Sequence, residues 1–240
     1  MATVLDNLDA FERKLEEMAN AQFNSPEYQK ILGLKWNRER ARMYIVQRAY
    51  FVLNRRDCWA YAQGSAPFDV KQLIWDHEKE ELMGDQERGL ANHYTLGMME
   101  GEAVGLTPED FIKTPPLPGT AACCYAWIHL AKDRPWLEAI PVSAALEISN
   151  SDDVIAGGAF SRRVSEKLRD EVGIPIAKQP NNAEHIVADV EHAKLLMKVV
   201  RSHATTAEAQ AQILKGCTET WRIERAYKGM LGDAMAALPD

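Results

Sequence analysis

No apolar run in the chain approaches the roughly 20 residues that a membrane-spanning helix needs, so a membrane partner is excluded as an expectation. Cysteine is scarce: Cys58, Cys123, Cys124 and Cys217 show neither zinc-type spacing nor a C-x-x-C pair, which leaves reduced thiols as their reading. A long basic stripe is missing as well. With 28 basic against 35 acidic residues the formal charge is −7, and nucleic acid is not an expected partner. The clusters "NRERAR" (37–42) and "NRR" (54–56) are the main basic exceptions, read as solvated helix faces, although an inward Arg there would suit an anionic substrate. The acidic, amphipathic start "MATVLDNLDAFERKLEEM" is no secretory signal, which points to a cytoplasmic location. Internal repeats, low-complexity tracts and alternating strand patterns are also lacking.

What remains is helix. The 240 residues are 46% hydrophobic and 26% charged, a globular balance. Helical periodicity predicts segments at 4–20, 26–32, 38–63, 69–84, 88–105, 119–131, 136–171, 182–203 and 205–237. Breaks fall at "GSAP" (64–67), "KTPPLPG" (113–119) and "GIPIAKQPNN" (173–182), and "LTPEDF" (106–111) has the form of a capped start. This predicts a single all-α domain spanning 1–240.

Within "NNAEHIVADVEHAKLLMKVV" (181–200), His185, Asp189 and His192 stand at intervals of four and three. At about 100° per residue they lie within about 60° of one another, and Leu196 and Val199 continue the same stripe while Lys194, Lys198 and Arg201 face away. Burying two imidazoles and a carboxylate costs several kcal/mol unless a metal or a mutual hydrogen bond compensates. Either reading is open for this segment alone. In "VKQLIWDHEKEELMGD", Glu81 shares the apolar face of Val70, Ile74 and His77, whereas Glu78 and Glu80 fall off it and read as solvated. His77 reads as a residue orienting a ligand or as a satisfied core histidine. Glu147 is the one acid on the stripe of Ile140 and Val154. Gly157-Gly158 interrupts its segment, as a kink or a close backbone approach would require.

Taken together, "EKEELMGD", "ANHYTLGMMEGEAVGL", Glu147 and "AEHIVADVEHA" resemble the heme-oxygenase-like di-iron oxidase superfamily, in particular the branch containing the chlamydial protein associating with death domains and the pyrroloquinoline-quinone-synthase-like proteins. The likeness runs from about residue 25 to 203, and H-x3-D-x2-H is its most specific motif. It implies a seven-helix heme-oxygenase-like bundle without heme, holding two ferrous ions that activate O2. Carried over residue by residue, the implied ligands are Glu81, His93, Glu147, His185, Asp189 and His192, with Glu81, Glu147 and Asp189 as the catalytic carboxylates. The separation of Glu81 from His93 is longer than in the nearest relatives. A small-molecule substrate, an external electron donor and a homodimer are also implied.

Superfamily members perform N-oxygenation, oxidative C–C cleavage, or formation of para-aminobenzoate from one of their own tyrosines. Relatives of the last kind carry two tyrosines sixteen residues apart and a lysine beyond the middle Glu. Here Tyr28 and Tyr44 have that separation and Lys167 is the candidate match for the lysine, although it lies farther beyond Glu147 than in those relatives. The tyrosines read first as core or pocket-wall aromatics, and Tyr44, Phe51, Tyr125 and Trp127 are candidate pocket aromatics. Oxidation of a small organic substrate is therefore the first reading and self-sacrificing para-aminobenzoate synthesis the alternative. A metal-free oxidase like pyrroloquinoline quinone synthase, and a non-catalytic helical interaction module, complete the set. Ferritin-like storage would use two E-x-x-H motifs, and the chain has none. A thiaminase-type relative would need a nucleophilic Cys beside the buried polar stripes, where this reading places none.

Overall fold

In the computed structural model, which describes residues 8–239, prolines at the first turn and polar caps start the helices in order. Helix α1 (Leu8–Phe23) leads to α2 (Pro26–Leu32), whose Ser25 side chain accepts the Tyr28 N–H, and to the long α3 (Arg38–Ser65), capped by Asn37. There follow α4 (Phe68–Met83), α5 (His93–Glu102), α6 (Pro108–Lys113) with a Thr107/Asp110 capping box, and α7 (Pro118–Asp133). The remainder is α8 (Trp136–Ala139), α9 (Pro141–Asn150), α10 (Phe160–Asp170), α11 (Pro180–His192), α12 (Lys194–His203) and α13 (Ala207–Ala236).

The all-α bundle expected from periodicity is present, with thirteen α-helical segments among the described residues rather than seven. Several are pieces of one predicted helix, for identifiable reasons. The segment predicted at 136–171 is divided by Pro141, which lacks an N–H, and by Gly157 and Gly158, whose φ values of +77° and +92° take the chain out of the helix. The segment predicted at 182–203 is α11 followed by α12, joined at Ala193. The helix predicted at 88–105 starts only at His93, because residues 85–90 form a turn closed by the Asp85–Leu90 bridge. The predicted start at residues 4–7 lies outside the described residues.

Trp36, Trp59, Trp127, Trp221, Tyr28 and Tyr227 are the largest side chains of the core. α13 runs along α2, α7, α8 and α9, while α3 packs against α4, α5 and α7. The Trp221 indole N–H, donating to Ser149 Oγ at 2.9 Å, locks α13 onto α9. Leu196 and Val199 on α12 are fully buried, each contributing about 1.5–3 kcal/mol through the hydrophobic effect. Between α3, α4, α5, α9 and α11 the core turns polar.

Candidate metal centre

Local structure explains how Glu81 and His93 meet across twelve positions. Gly84 ends α4 at φ +69°, and a Cβ there would stand 2.3 Å from Leu90 O, so the backbone turns back on itself at a place only glycine fits. The 85–90 turn returns the chain, and Asn92 caps α5 by accepting the Thr95 N–H at 2.9 Å, which makes His93 the first helical residue. His93 Nδ1 thereby lies 2.9 Å from Glu81 Oε1. Glu147 enters from α9, and His185, Asp189 and His192 enter from one face of α11.

Two groups of ligand atoms result. His77, Glu81, Glu147 and His192 offer atoms within 4.8 Å of one another, as do Glu81, His93 and His185. Glu81 belongs to both. The His77 and His192 rings are 4.3 Å apart and those of His93 and His185 4.5 Å apart. Asp189 Oδ1 lies 3.6 Å from His192 Nδ1. His185 Nδ1 lies 2.8 Å from the Asn181 carbonyl, which only accepts, so Nδ1 carries the proton and Nε2 keeps its lone pair. Five of the six sequence-derived candidates thus fall within these two groups, His77 joins them, and Asp189 lies outside both, beside His192.

The electrostatics describe a site overloaded with acid. Asp189 is fully buried and neither oxygen has a hydrogen-bond partner. Burial, reinforced by the Glu147 and Glu81 carboxylates and opposed by His192, pushes its carboxyl up to about 7. Burial alone would lower His192, yet the carboxylates of Asp189, Glu147 and Glu81 carry it up to about 10. His185 is driven down to about 3 by burial and by His93, so its ring is neutral. Glu81 is held well below the carboxylate range against its burial by Arg56 and His93, and Glu147 likewise by Arg55 and His77. The Asp189 oxygens, without a hydrogen bond, and the His93 and His192 Nδ1 atoms that face carboxylates at 2.9–3.6 Å form a mixed imidazole–carboxylate set that fits divalent iron. Arg56 approaches Glu81 at Oε2, leaving Oε1 to the histidines.

Sequence reasoning missed several of these groups. The "NRR" cluster is not a solvated face: Arg55 bonds Glu147 and Arg56 bonds Glu81 and Glu78. Its signal was legible, because Arg55 is four positions from both Phe51 and Trp59 on α3. Glu78, read as solvated, is turned inward, 3.1 Å from His77 Nδ1. Glu80 is largely exposed yet reaches His192 Nε2 at 3.1 Å. Glu100, not singled out, is buried and holds Arg48 at 3.2 Å and the Asn182 N–H at 3.0 Å.

Beside His185 a small cavity of about 40 Å³ is lined by Tyr44, Arg48, Phe51, Phe160, Glu224 and Lys228, among others. Tyr44 and Phe51 are therefore pocket aromatics, Trp127 backs Phe51 at 5.3 Å, and Tyr125 is instead exposed to solvent. Tyr28 is buried behind the cavity, 5.7 Å from the Phe160 ring. Lys167 is not brought to the tyrosines: its ammonium pairs with Glu171 at 2.8 Å on α10. Burial raises the Cys58 thiol to about 12 and those of Cys123 and Cys124 to about 11, so none is a ready nucleophile. Among the described residues no helix is long and apolar enough to cross a membrane.

Residues 42–225 match the profile of a family described as iron-containing redox enzymes. No curated protein sequence matches the chain. Among solved structures, a CADD-like protein of unknown function from Nostoc punctiforme aligns with a TM-score of 0.73 at 17% identity, over 95% of this chain and 97% of that one. A domain of unknown function with a heme oxygenase-like fold from Shewanella denitrificans aligns at 0.72 and 14% identity, over 97% and 93%. A TenA homologue from P. horikoshii aligns at 0.61 and 18%, over 92% and 98%. These likenesses establish the heme-oxygenase-like fold.

Proposed function

From the premise that this chain belongs to the family of iron-containing redox enzymes, we propose that the His/carboxylate cluster holds two iron ions and serves an oxygen-dependent oxidation of a small organic substrate. Glu81, His93, Glu147, His185, Asp189 and His192 are the proposed ligands, with His77 as a further one, and Glu81 is the residue common to both ligand groups. The carrying observation is Asp189, a fully buried carboxylate with no hydrogen-bond partner on either oxygen and only His192 as an ionic neighbour, at 3.6 Å. Such a group costs several kcal/mol to keep in a folded core unless a cation compensates it. When bound, the iron supplies the electrons and the open coordination with which O2 is activated.

The chain's own residues set up the rest. The Asn181 carbonyl fixes the His185 ring so that Nε2 faces the cluster. Arg55 and Arg56 hold the Glu147 and Glu81 carboxylates in orientation from α3. Tyr44 and Phe51 give the cavity beside His185 aromatic walls. His192 Nε2 and the exposed Glu80 carboxylate, 3.1 Å apart, offer a proton path from the cluster to solvent. Any electrons beyond those of the substrate come from an external donor.

Anaerobic loading of the metal-free protein with ferrous iron, followed by desalting and metal analysis, tests this reading. About two irons per chain and substrate-stimulated O2 uptake are expected; no retained iron overturns it. The outcome also decides a second reading, a metal-free polar core, which is favoured by the two arginine–carboxylate contacts of Arg55 and Arg56.

A further inference from the structure

The cavity beside His185 contains two charges that the proposed metal chemistry does not use. Glu224 and Lys228 stand one turn apart on α13, and both are more than nine-tenths buried. At this spacing a Glu and a Lys on one helix face usually pair with each other. Here they do not. The Lys228 ammonium rests 3.4 Å from the centre of the Phe160 ring, with the rings of Tyr227, Phe51 and Tyr28 at 5.6, 5.9 and 6.0 Å. Glu224 Oε2 has the Tyr28 hydroxyl as a polar neighbour but no well-formed hydrogen bond and no cationic partner, and the Tyr227 hydroxyl has no hydrogen-bond partner either. The other charges nearby are already matched, since Arg48 is committed to Glu100 and to Asn182 Oδ1. One open acceptor and one open donor of opposite charge therefore face the same enclosed space, whose lining also includes His185.

Unpaired buried charges are expensive, and a ligand that satisfies both at once removes both costs. A ligand of single charge would satisfy one and leave the other. A net-neutral molecule carrying an ammonium and a carboxylate also loses less hydration than two separate ions brought to the same site. The aromatic faces of Phe51, Phe160 and Tyr227 suit its carbon skeleton and, at Phe160, a cationic head. With Lys228 in place the free volume is about 40 Å³, a few water molecules, so the flexible lysine arm must extend as the ligand enters.

We propose that this cavity binds a small amino-carboxylate, an α-amino acid or close analogue, with its ammonium on Glu224 and its carboxylate on Lys228. The ligand is then held within the chamber that His185 borders. That it is oxidised there rests on the metal-centre reading above; that it binds does not.

The test uses the metal-free full-length chain, so that its failure and the failure of iron loading are read separately. Thermal shift and calorimetric titration are run with the protein L-α-amino acids, then with the decarboxylated amine and the deaminated acid of the best binder. At least one amino acid should bind, and both of its singly charged analogues should bind at least roughly tenfold more weakly, the loss expected when a buried charge is left unmatched. Glu224→Gln should weaken the amino acid and the amine while sparing the acid, and Lys228→Met should weaken the amino acid and the acid while sparing the amine. Absence of binding by every amino acid overturns the proposal, as does equal binding of amine, acid and amino acid. Uniform weakening of all three probes by both variants overturns it too. Should a variant fail to fold, the affinity order of the three probes on the unaltered chain decides.

Discussion

Replacing Asp189 with Asn should make the metal-free protein more stable while abolishing its response to iron. Asn keeps the shape and removes the charge. In the metal-free fold the Asp189 carboxyl sits at about 7 against an ordinary value of 3.8. That gap of roughly three units corresponds to on the order of 4 kcal/mol, disfavouring the ionised form in the folded state. Loss of the attraction to His192 takes back part of it, so a net gain of about 1–3 kcal/mol is expected at pH 8. For a chain of this size this amounts to a rise in Tm of roughly 2–12 °C. The sign with pH follows from a raised carboxyl: the folded state binds the extra proton between about 4 and 7, so wild-type stability falls as pH climbs through that window. The Asn variant lacks that loss, and its advantage should shrink towards zero at pH 4. Thermal unfolding followed by circular dichroism in chelator, at pH 4, 6 and 8, measures all of this. Ferrous iron added anaerobically should then raise the Tm of the wild type and leave the variant unmoved. A variant less stable than wild type at pH 8 without metal would refute the reasoning, because Asp189 would then be a satisfied structural group.

His185→Ala should reduce retained iron from about two to about one per chain, measured by metal analysis, because the second ligand group has only Glu81 and His93 besides. His77→Ala should lower metal affinity by roughly 10–100-fold if it supports or joins the first group, read by chelator competition. In metal-free protein, His192 should keep a protonated ring up to about pH 10, visible by NMR of its ring protons and lost on Asp189→Asn with Glu147→Gln. Far from the cluster, Gly216→Ala should cost about 1–3 kcal/mol in denaturant unfolding, since its Cβ would stand 2.4 Å from Glu138 O.

The fold class and the inward acids were readable because each lies on a periodic apolar stripe. Glu81 follows Val70, Ile74 and His77, and the H-x3-D-x2-H stripe continues into Leu196 and Val199, all now seen buried except the half-buried His185. What hid the rest was the habit of reading charge as surface. Arg55 lies on the stripe of Phe51 and Trp59, and Glu224 and Lys228 lie on that of Trp221, Tyr227 and Leu231, so the periodicity carried them too. His93 could be placed by no such rule. Its approach to Glu81 depends on Gly84 reversing the chain and on the 85–90 turn, which are tertiary facts that spacing does not encode. The break at Ala193 left no such mark, because a one-residue change of helix axis barely disturbs a 3.6-residue period, whereas Gly157-Gly158 did announce the interruption between α9 and α10.

The charges of the cluster also rank its two halves. Glu78, Glu81, Glu147 and Asp189 against Arg55 and Arg56 make four negative charges and two positive, a balance of −2 with neutral imidazoles. Without metal this excess is met by protons, which is why Asp189 and His192 both sit so high. One divalent ion would cancel it. On the proposed reading that ion would take the group of His77, Glu81, Glu147 and His192, beside Asp189, where the carboxylates concentrate. A second ion at His93 and His185 would find two imidazoles and only a share of Glu81, in a region no longer negative and beside a dication. Its affinity would be weaker than the first by the repulsion between the two, and would depend most on whatever anionic group arrived with it. Such a site would fill in steps, tightly and then loosely, from a single set of side chains.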